Sequence, residues 1–124
     1  MKGINASPSM GAFLMELMHA RTNAHVLHLR TKSFSHHMAL GSFYEGIGER
    51  ADSIAEAYQG RYGIIEYPAL PYKPENDPIM MIRSLRRYVD ENRMALCEHS
   101  EIQNLIDEAV ELMDSTLYKL ENLA

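Results

Sequence analysis

The chain has 124 residues, which is long enough for one domain with one hydrophobic core. Its net charge of −5 and pI near 5.6 lack the basic footprint of a general nucleic-acid binder. Its single cysteine, Cys97, excludes an intrachain disulfide and suits a reducing compartment. No apolar run reaches the roughly 20 residues of a membrane span, and the segment MKGINASPSMG lacks the apolar stretch of a secretory signal, so we expect a cytoplasmic protein without membrane contact.

The first predicted helix covers residues 8 to 32. Ser7 is a favourable N-cap, and Pro8 is favourable in the first turn because the backbone donor that it lacks has no helical partner there. The apolar stripe of this helix continues at helical spacing to His25 and His28. We therefore expect both imidazoles on the inward face, where buried polar groups need partners.

The second predicted helix covers residues 34 to 59, with Ser33 or Ser35 as its N-cap. Gly60 and Gly63 are predicted to end it, because glycine favours the positions just beyond a helix C-terminus. Only a tight turn separates this helix from the first one. The two helices are therefore expected to be antiparallel neighbours.

Four carboxylates follow one another along the second helix at spacings of four, three and four residues: Glu45, Glu49, Asp52 and Glu56. This spacing places them on one side of the helix, where each like-charge neighbour costs a few tenths of a kcal/mol. We call this set the acidic row. A solvated helix face is the ordinary interpretation of such a row. The nearby histidines favour a second interpretation, because imidazole nitrogens and carboxylate oxygens together are the donor groups of transition-metal sites.

Two further helices are predicted after a proline-rich connection. This connection holds four of the five prolines and cannot form a long helix. Asp77, which a proline follows, then caps a third helix over residues 78 to 97. A capping box formed by Ser100 and Gln103 begins a fourth helix over residues 101 to 122.

The length of the proline-rich connection indicates the topology. A helix as long as the first one measures about 38 Å, whereas the 18 residues from 61 to 78 can reach about 59 Å when extended. The connection can therefore run the whole length of a bundle, as a ferritin-like bundle requires between its second and third helices. We predict an all-α fold in which residues 1–124 form a single domain, a ferritin-like four-helix bundle with a long crossover between helices 2 and 3.

The stretch from His25 to Glu56 resembles the ferroxidase region of Dps proteins, the mini-ferritins of the ferritin-like superfamily. In that family a histidine near the end of the first helix, a second early in the next, and an Asp-x-x-x-Glu pair bind iron. The resemblance assigns the last three positions to His37, Asp52 and Glu56. An ungapped match assigns the first position to His25, whereas a loop shorter by three residues assigns it to His28, around which the chain matches better.

The sequence departs from the mini-ferritin pattern at several points. Gly41 stands one turn after the second histidine, where family members usually have another carboxylate, and no tryptophan follows the first histidine. The chain is also short and lacks a lysine-rich tail. Most of it more closely resembles an uncharacterised tailed-phage family of ferritin-like proteins, through HLRTKSFSHHMAL, AEAYQGRYG and IQNLIDEAVELMDSTLYKL. That resemblance implies no established activity.

Two functions follow as expectations, and the sequence leaves open whether the protein is an enzyme. In the first, it binds iron or another divalent metal, and it oxidises Fe(II) if the site is complete. His28 and His37 would be nitrogen ligands, with His25 as an alternative or additional ligand. Asp52 and Glu56 would be chelating or bridging ligands. In the second, it is a non-enzymatic phage bundle that binds another protein in the host cytoplasm.

A homodimer, or a higher homo-oligomer, is expected for two reasons. In mini-ferritins the histidines of one subunit meet the acidic pair of its partner. In addition, the first two helices carry large apolar residues on more than one side, although a bundle helix has only one inward face. These residues include Phe13, Met15, Phe34, Met38 and Phe43. The surplus suggests that the two helices form a subunit interface.

Overall fold

The structure is a computed structural model that describes residues 9–124. This part of the chain forms four α-helices and no strand: α1 Met10–Arg30, α2 Phe34–Tyr62, α3 Pro78–Leu96 and α4 Ser100–Asn122. The predicted all-α four-helix bundle is confirmed. The predicted cap at Ser7 and first-turn proline at Pro8 lie outside the described residues.

Side-chain caps fix the starts of the first two helices. Ser9 caps α1 and accepts a 3.0 Å hydrogen bond from the backbone N–H of Ala12. Ser33 caps α2 and accepts one of 3.2 Å from the N–H of His36. The second helix continues past the predicted bound at residue 59 and through Gly60, and its last residue is Tyr62. Gly63, the other predicted stop, is confirmed as the C-cap, with a φ of 89° that favours glycine.

The predicted capping box at the start of α4 is wrong. The N-cap of α4 is His99, and its side chain makes no capping hydrogen bond. Gln103 turns towards the preceding helix instead, and its amide donates hydrogen bonds of 2.8 Å to the backbone carbonyls of Arg93 and Cys97. The side chain thus satisfies carbonyls at the end of α3, which have no partner within that helix.

The long connection crosses the whole bundle. It begins with the carbonyl of Glu66 against Gly11, at the start of α1. It ends beside the other end of α1, where the guanidinium of Arg30 donates to the side-chain oxygen of Asn76 at 3.2 Å. The third helix therefore starts at the end of the bundle where α2 starts, so α2 and α3 are parallel, as the predicted long crossover requires.

The helices form a four-sided bundle around one core. α1 packs against α2 and α3, and α4 packs against α2 and α3. The largest fully buried side chains come from all four helices: Phe13, Phe43, Leu14, Leu17, Leu40, Ile47, Ile54, Ile82, Ile102, Ile106, Met113 and Val89. The outward sides of α1 and α2 remain open to solvent and make one surface, which we call the α1–α2 face.

Candidate metal centre on the first two helices

His28 and His37 form a reciprocal pair where α1 turns into α2. Their rings stack with centroids 3.8 Å apart and planes 18° from parallel. The Nδ1 atom of His28 lies 2.6 Å from the backbone carbonyl oxygen of His37, and the Nδ1 atom of His37 lies 2.8 Å from that of His28. Because a carbonyl only accepts, both Nδ1 atoms carry the proton, and in the neutral rings each Nε2 keeps a free lone pair.

The pair also has a structural role. α1 ends at Arg30, so the carbonyl of His28 belongs to the last turn, whose carbonyls lack helical partners. The ring of His37 donates to this carbonyl and ties the end of α1 to the first turns of α2. Both imidazoles are half-buried, as expected for polar groups with internal partners.

The ring of His28 lies against Gly41. A Cβ atom at position 41 would lie 3.0 Å from Cε1 and 3.1 Å from Nδ1 of that ring. The imidazole therefore occupies the space that a side chain at position 41 would need. A side chain at position 41 would therefore require the His28 ring to shift by a few tenths of an ångström.

His25 lies in a different environment from the one predicted. It is exposed rather than inward-facing. Its ring stacks on Tyr44 of α2, with centroids 4.1 Å apart and planes 10° from parallel. The ring of Tyr44 meets that of His28 edge-on at 5.4 Å, while the centroids of His25 and His28 are 6.2 Å apart. Tyr44 thus joins the histidine cluster, which the spacing within either helix alone did not indicate.

The acidic row is exposed, but it is not free of positive charge. Arg21 of α1 lies over Gly48, where a Cβ would come within 2.9 Å of both Cδ and Nε of the arginine. Arg21, Glu45, Glu49 and Asp52 line one groove of about 290 Å³. The pattern along α2 indicated no local counter-charge, with Arg50 expected to point elsewhere; in the structure Arg21 comes from the neighbouring helix, and the guanidinium of Arg50 lies 3.9 Å from the carboxylate of Glu49.

Three arginines of α3 pair with carboxylates of α4: Arg83, Arg86 and Arg93. Arg83 pairs with Glu121, and the Nε of Arg86 donates to Asp114 at 2.9 Å. The hydrogen bond to Asp114 is the main cause that raises the pKa of Arg86 above its ordinary value. These arginines stabilise a helix–helix contact and are already paired with carboxylates, which argues against a phosphate-binding surface on α3.

One chain does not bring the predicted ligands together. His37 and Asp52 are 15 residues apart on the same helix, which corresponds to roughly 22 Å along its axis. Within residues 9–124 there is no group of three or more His, Cys, Asp or Glu side chains that could hold a metal ion. Within one chain, the histidine pair and the Asp52/Glu56 pair are therefore separate features.

The geometry of the histidine pair limits how it can bind a cation. A ring nitrogen directs its lone pair within the ring plane, so two nearly parallel rings do not aim both Nε2 lone pairs at one point between them. Either one Nε2 binds each cation or one ring rotates when a metal binds. In both cases the imidazoles fill at most two coordination positions, and other ligands, such as carboxylates or water, would complete the coordination of a cation such as Fe(II).

Fold and side chains together define a small all-helical bundle with a long crossover, and none of its described helices is long and apolar enough to cross a membrane. The family whose pattern matches residues 28–120 is described as "Family of unknown function (DUF5856)". Because the match covers about three quarters of the sequence, the chain belongs to this family. No curated protein and no solved structure matches it.

Proposed function

We propose that this protein is a ferritin-like, metal-binding homodimer whose metal site forms between subunits. His28 and His37 of one subunit would supply nitrogen ligands, and Asp52 and Glu56 of the other would supply carboxylates. The observation that carries the proposal is the reciprocal hydrogen bonding of the two histidines. These bonds make Nδ1 the donor of both rings and leave each Nε2 with a free lone pair, so one ring could bind a cation as it stands, or one ring could rotate to bring both nitrogens to the same cation.

The α1–α2 face has the arrangement that such a dimer needs. Its histidine end and its acidic end lie on either side of the middle of α2. An antiparallel two-fold pairing through that middle would place the histidine end of each subunit opposite the acidic end of the other. Exposed apolar side chains next to the histidines supply contact area: Leu29 is 69%, Phe34 77% and Met38 53% exposed.

Iron is the metal that we propose, with Mn(II) and Zn(II) as competitors for the same nitrogen and oxygen donors. The support for iron is the resemblance of His37, Asp52 and Glu56 to the mini-ferritin ligands. Bound iron would supply one-electron redox chemistry towards oxygen. Gly41 leaves the set one carboxylate short of the mini-ferritin pattern, so the proposal is binding first, and oxidation is tested separately.

An anaerobic Fe(II) titration with and without the acidic pair tests this function. The parent protein should bind Fe(II) saturably, and the double variant Asp52→Asn/Glu56→Gln should not. The double variant Glu108→Gln/Glu111→Gln is a matched control, because it removes the same charge from exposed positions on α4. Admitting oxygen then separates ferroxidase chemistry, seen as ferric absorbance, from metal binding alone. A parent without saturable binding of Fe(II), Mn(II) or Zn(II) would overturn the proposal.

A second candidate function is a non-enzymatic bundle, of phage origin, that acts by binding another protein in the host cytoplasm. It is favoured by the structural role of the histidine pair, which accounts for both imidazoles without a metal. The exposed Phe34 and Met38 would then contact a different protein. This alternative predicts no metal binding in the parent and no change in metal content when Asp52 and Glu56 are neutralised.

A further inference from the structure

A cleft lies on the opposite side of α1 from the acidic row, between α1, α3 and the long crossover. Its volume is about 220 Å³. Its floor is apolar, with Ala20, Met81 and Leu85 all less than 9% exposed. Six polar or aromatic side chains surround this floor: Glu16, His19, Tyr72, Lys73, Ser84 and Tyr88.

The walls of the cleft are held in place by contacts between α1 and the crossover. The side chain of Asn23 donates to the backbone carbonyl of Glu75 at 3.0 Å and accepts from its N–H at 2.9 Å, which anchors the crossover to α1. Tyr72 meets His19 edge-on, with ring centroids 5.5 Å apart. The crossover therefore forms a fixed wall and does not fill the space above the floor.

Two side chains of opposite charge, Glu16 and Lys73, line the cleft. None of the ion pairs among the described residues involves Glu16 or Lys73. The ring of Tyr88 is fixed by stacking on Phe13 at 5.9 Å. Burial, and then the charge of Glu16, raise the pKa of the Tyr88 hydroxyl, so it is protonated at neutral pH and can donate a hydrogen bond.

We propose that this cleft binds a small zwitterion with an apolar side chain, of the free amino-acid type. Glu16 would pair with the ammonium group, which the nearby tyrosine rings also attract. Lys73 would pair with the carboxylate. The apolar floor would take the side chain, and the hydroxyl groups of Ser84 and Tyr88 would add hydrogen bonds. The site is independent of the proposed metal centre, which lies on the α1–α2 face.

Titration followed by isothermal calorimetry, with a metal chelator present, tests the proposal with three probes. L-leucine carries both charges, L-leucinamide lacks the carboxylate, and N-acetyl-L-leucine lacks the ammonium group. The parent should bind L-leucine saturably and each of the other probes at least about tenfold more weakly. Glu16→Gln should weaken L-leucine binding by a similar factor, whereas the control Glu111→Gln should not change it.

Two results would overturn the proposal. One is the absence of saturable L-leucine binding up to about 10 mM, the weak limit for a specific small-ligand site. The other is equal binding of L-leucine and N-acetyl-L-leucine, which would show that the carboxylate of Glu16 recognises no ammonium group. The probe series uses the unaltered chain, so this second result does not depend on how the Glu16 variant folds.

Discussion

His28 and His37 each donate an Nδ1–H to the other's backbone carbonyl, across a helix–helix turn and with their rings stacked at 3.8 Å. Two hydrogen bonds and one ring contact thus join the end of α1 to the first turns of α2. The same contacts set the tautomer of both rings, so the pair belongs to the fold and to the candidate metal centre at once.

The first expectation concerns stability without metal. His28→Ala and His37→Ala should each lower the free energy of unfolding by about 1 kcal/mol, because each removes one part-buried hydrogen bond. His37→Ala should have the larger effect, because it leaves the His28 carbonyl, in the last turn of α1, without a partner. Urea denaturation in the presence of EDTA measures this. His25→Ala is the control, since that ring is exposed and should change stability much less. Equal values for all three variants would show that the pair contributes nothing to the fold.

Two glycines of α2 should respond in opposite directions to alanine. Gly41→Ala would place a methyl group 3.0 Å from the ring of His28 and should destabilise the protein despite the better helix propensity of alanine. Gly60→Ala meets nothing within 4 Å, and should stabilise by about 0.5–1 kcal/mol. Thermal or urea unfolding of the two variants gives the comparison. A stabilising Gly41→Ala would mean that the His28 ring moves freely from its observed place.

The third expectation concerns assembly. Phe34→Ser/Met38→Ser should shift the protein from dimer to monomer, because both side chains are exposed at the histidine end of the proposed interface. Met94→Ser is a matched control, since Met94 is 72% exposed on α3, away from that face. Sedimentation at micromolar concentration reports the change. A parent that is already monomeric would rule out the two-subunit site.

Tyr88 should make stability depend on pH in the alkaline range. Its folded-state pKa is raised above the ordinary 10.0, first by burial and then by the charge of Glu16. A raised folded pKa means that its contribution to stability is complete below the unfolded pKa and is lost as pH rises through the folded value. Glu16→Gln should therefore lower the pKa of Tyr88. Phenolate absorbance, assigned by difference from Tyr88→Phe, measures it, and an unchanged titration would contradict the assigned cause.

Local sequence signals predicted the start of a helix well where the capping side chain bonds to N–H groups of its own helix. Asp77 accepts hydrogen bonds from the N–H groups of Ile79 and Met80, as its position before a proline indicates. Gln103 shows where local signals fail. Its spacing from Ser100 fits a capping box, in which its side-chain oxygen would accept from the Ser100 N–H. That oxygen instead accepts from Nε of Arg93 at 2.9 Å, while the amide N–H groups donate to carbonyls at the end of α3.

Less of the candidate site could be predicted from the sequence, because its contacts join different helices. Spacing within α1 placed His25 inward, whereas stacking on Tyr44 of α2 holds it at the surface. Spacing within α2 indicated an acidic row without a cation, whereas Arg21 of α1 lies across it. Both features depend on how α1 and α2 are rotated about their axes relative to each other. The pattern of one helix alone does not contain that information.

The most direct test of the proposed centre is subunit complementation. His28→Gln/His37→Gln removes the ring nitrogens but keeps amide donors, and Asp52→Asn/Glu56→Gln removes the carboxylates. Neither variant alone should bind Fe(II) at the site. After the two are unfolded and refolded together in equal amounts, half of the dimers are mixed and each mixed dimer has one complete site, so about a quarter of the parental capacity should return. No recovery in a mixture shown to contain mixed dimers, or full binding by either variant alone, would contradict a metal site formed between subunits.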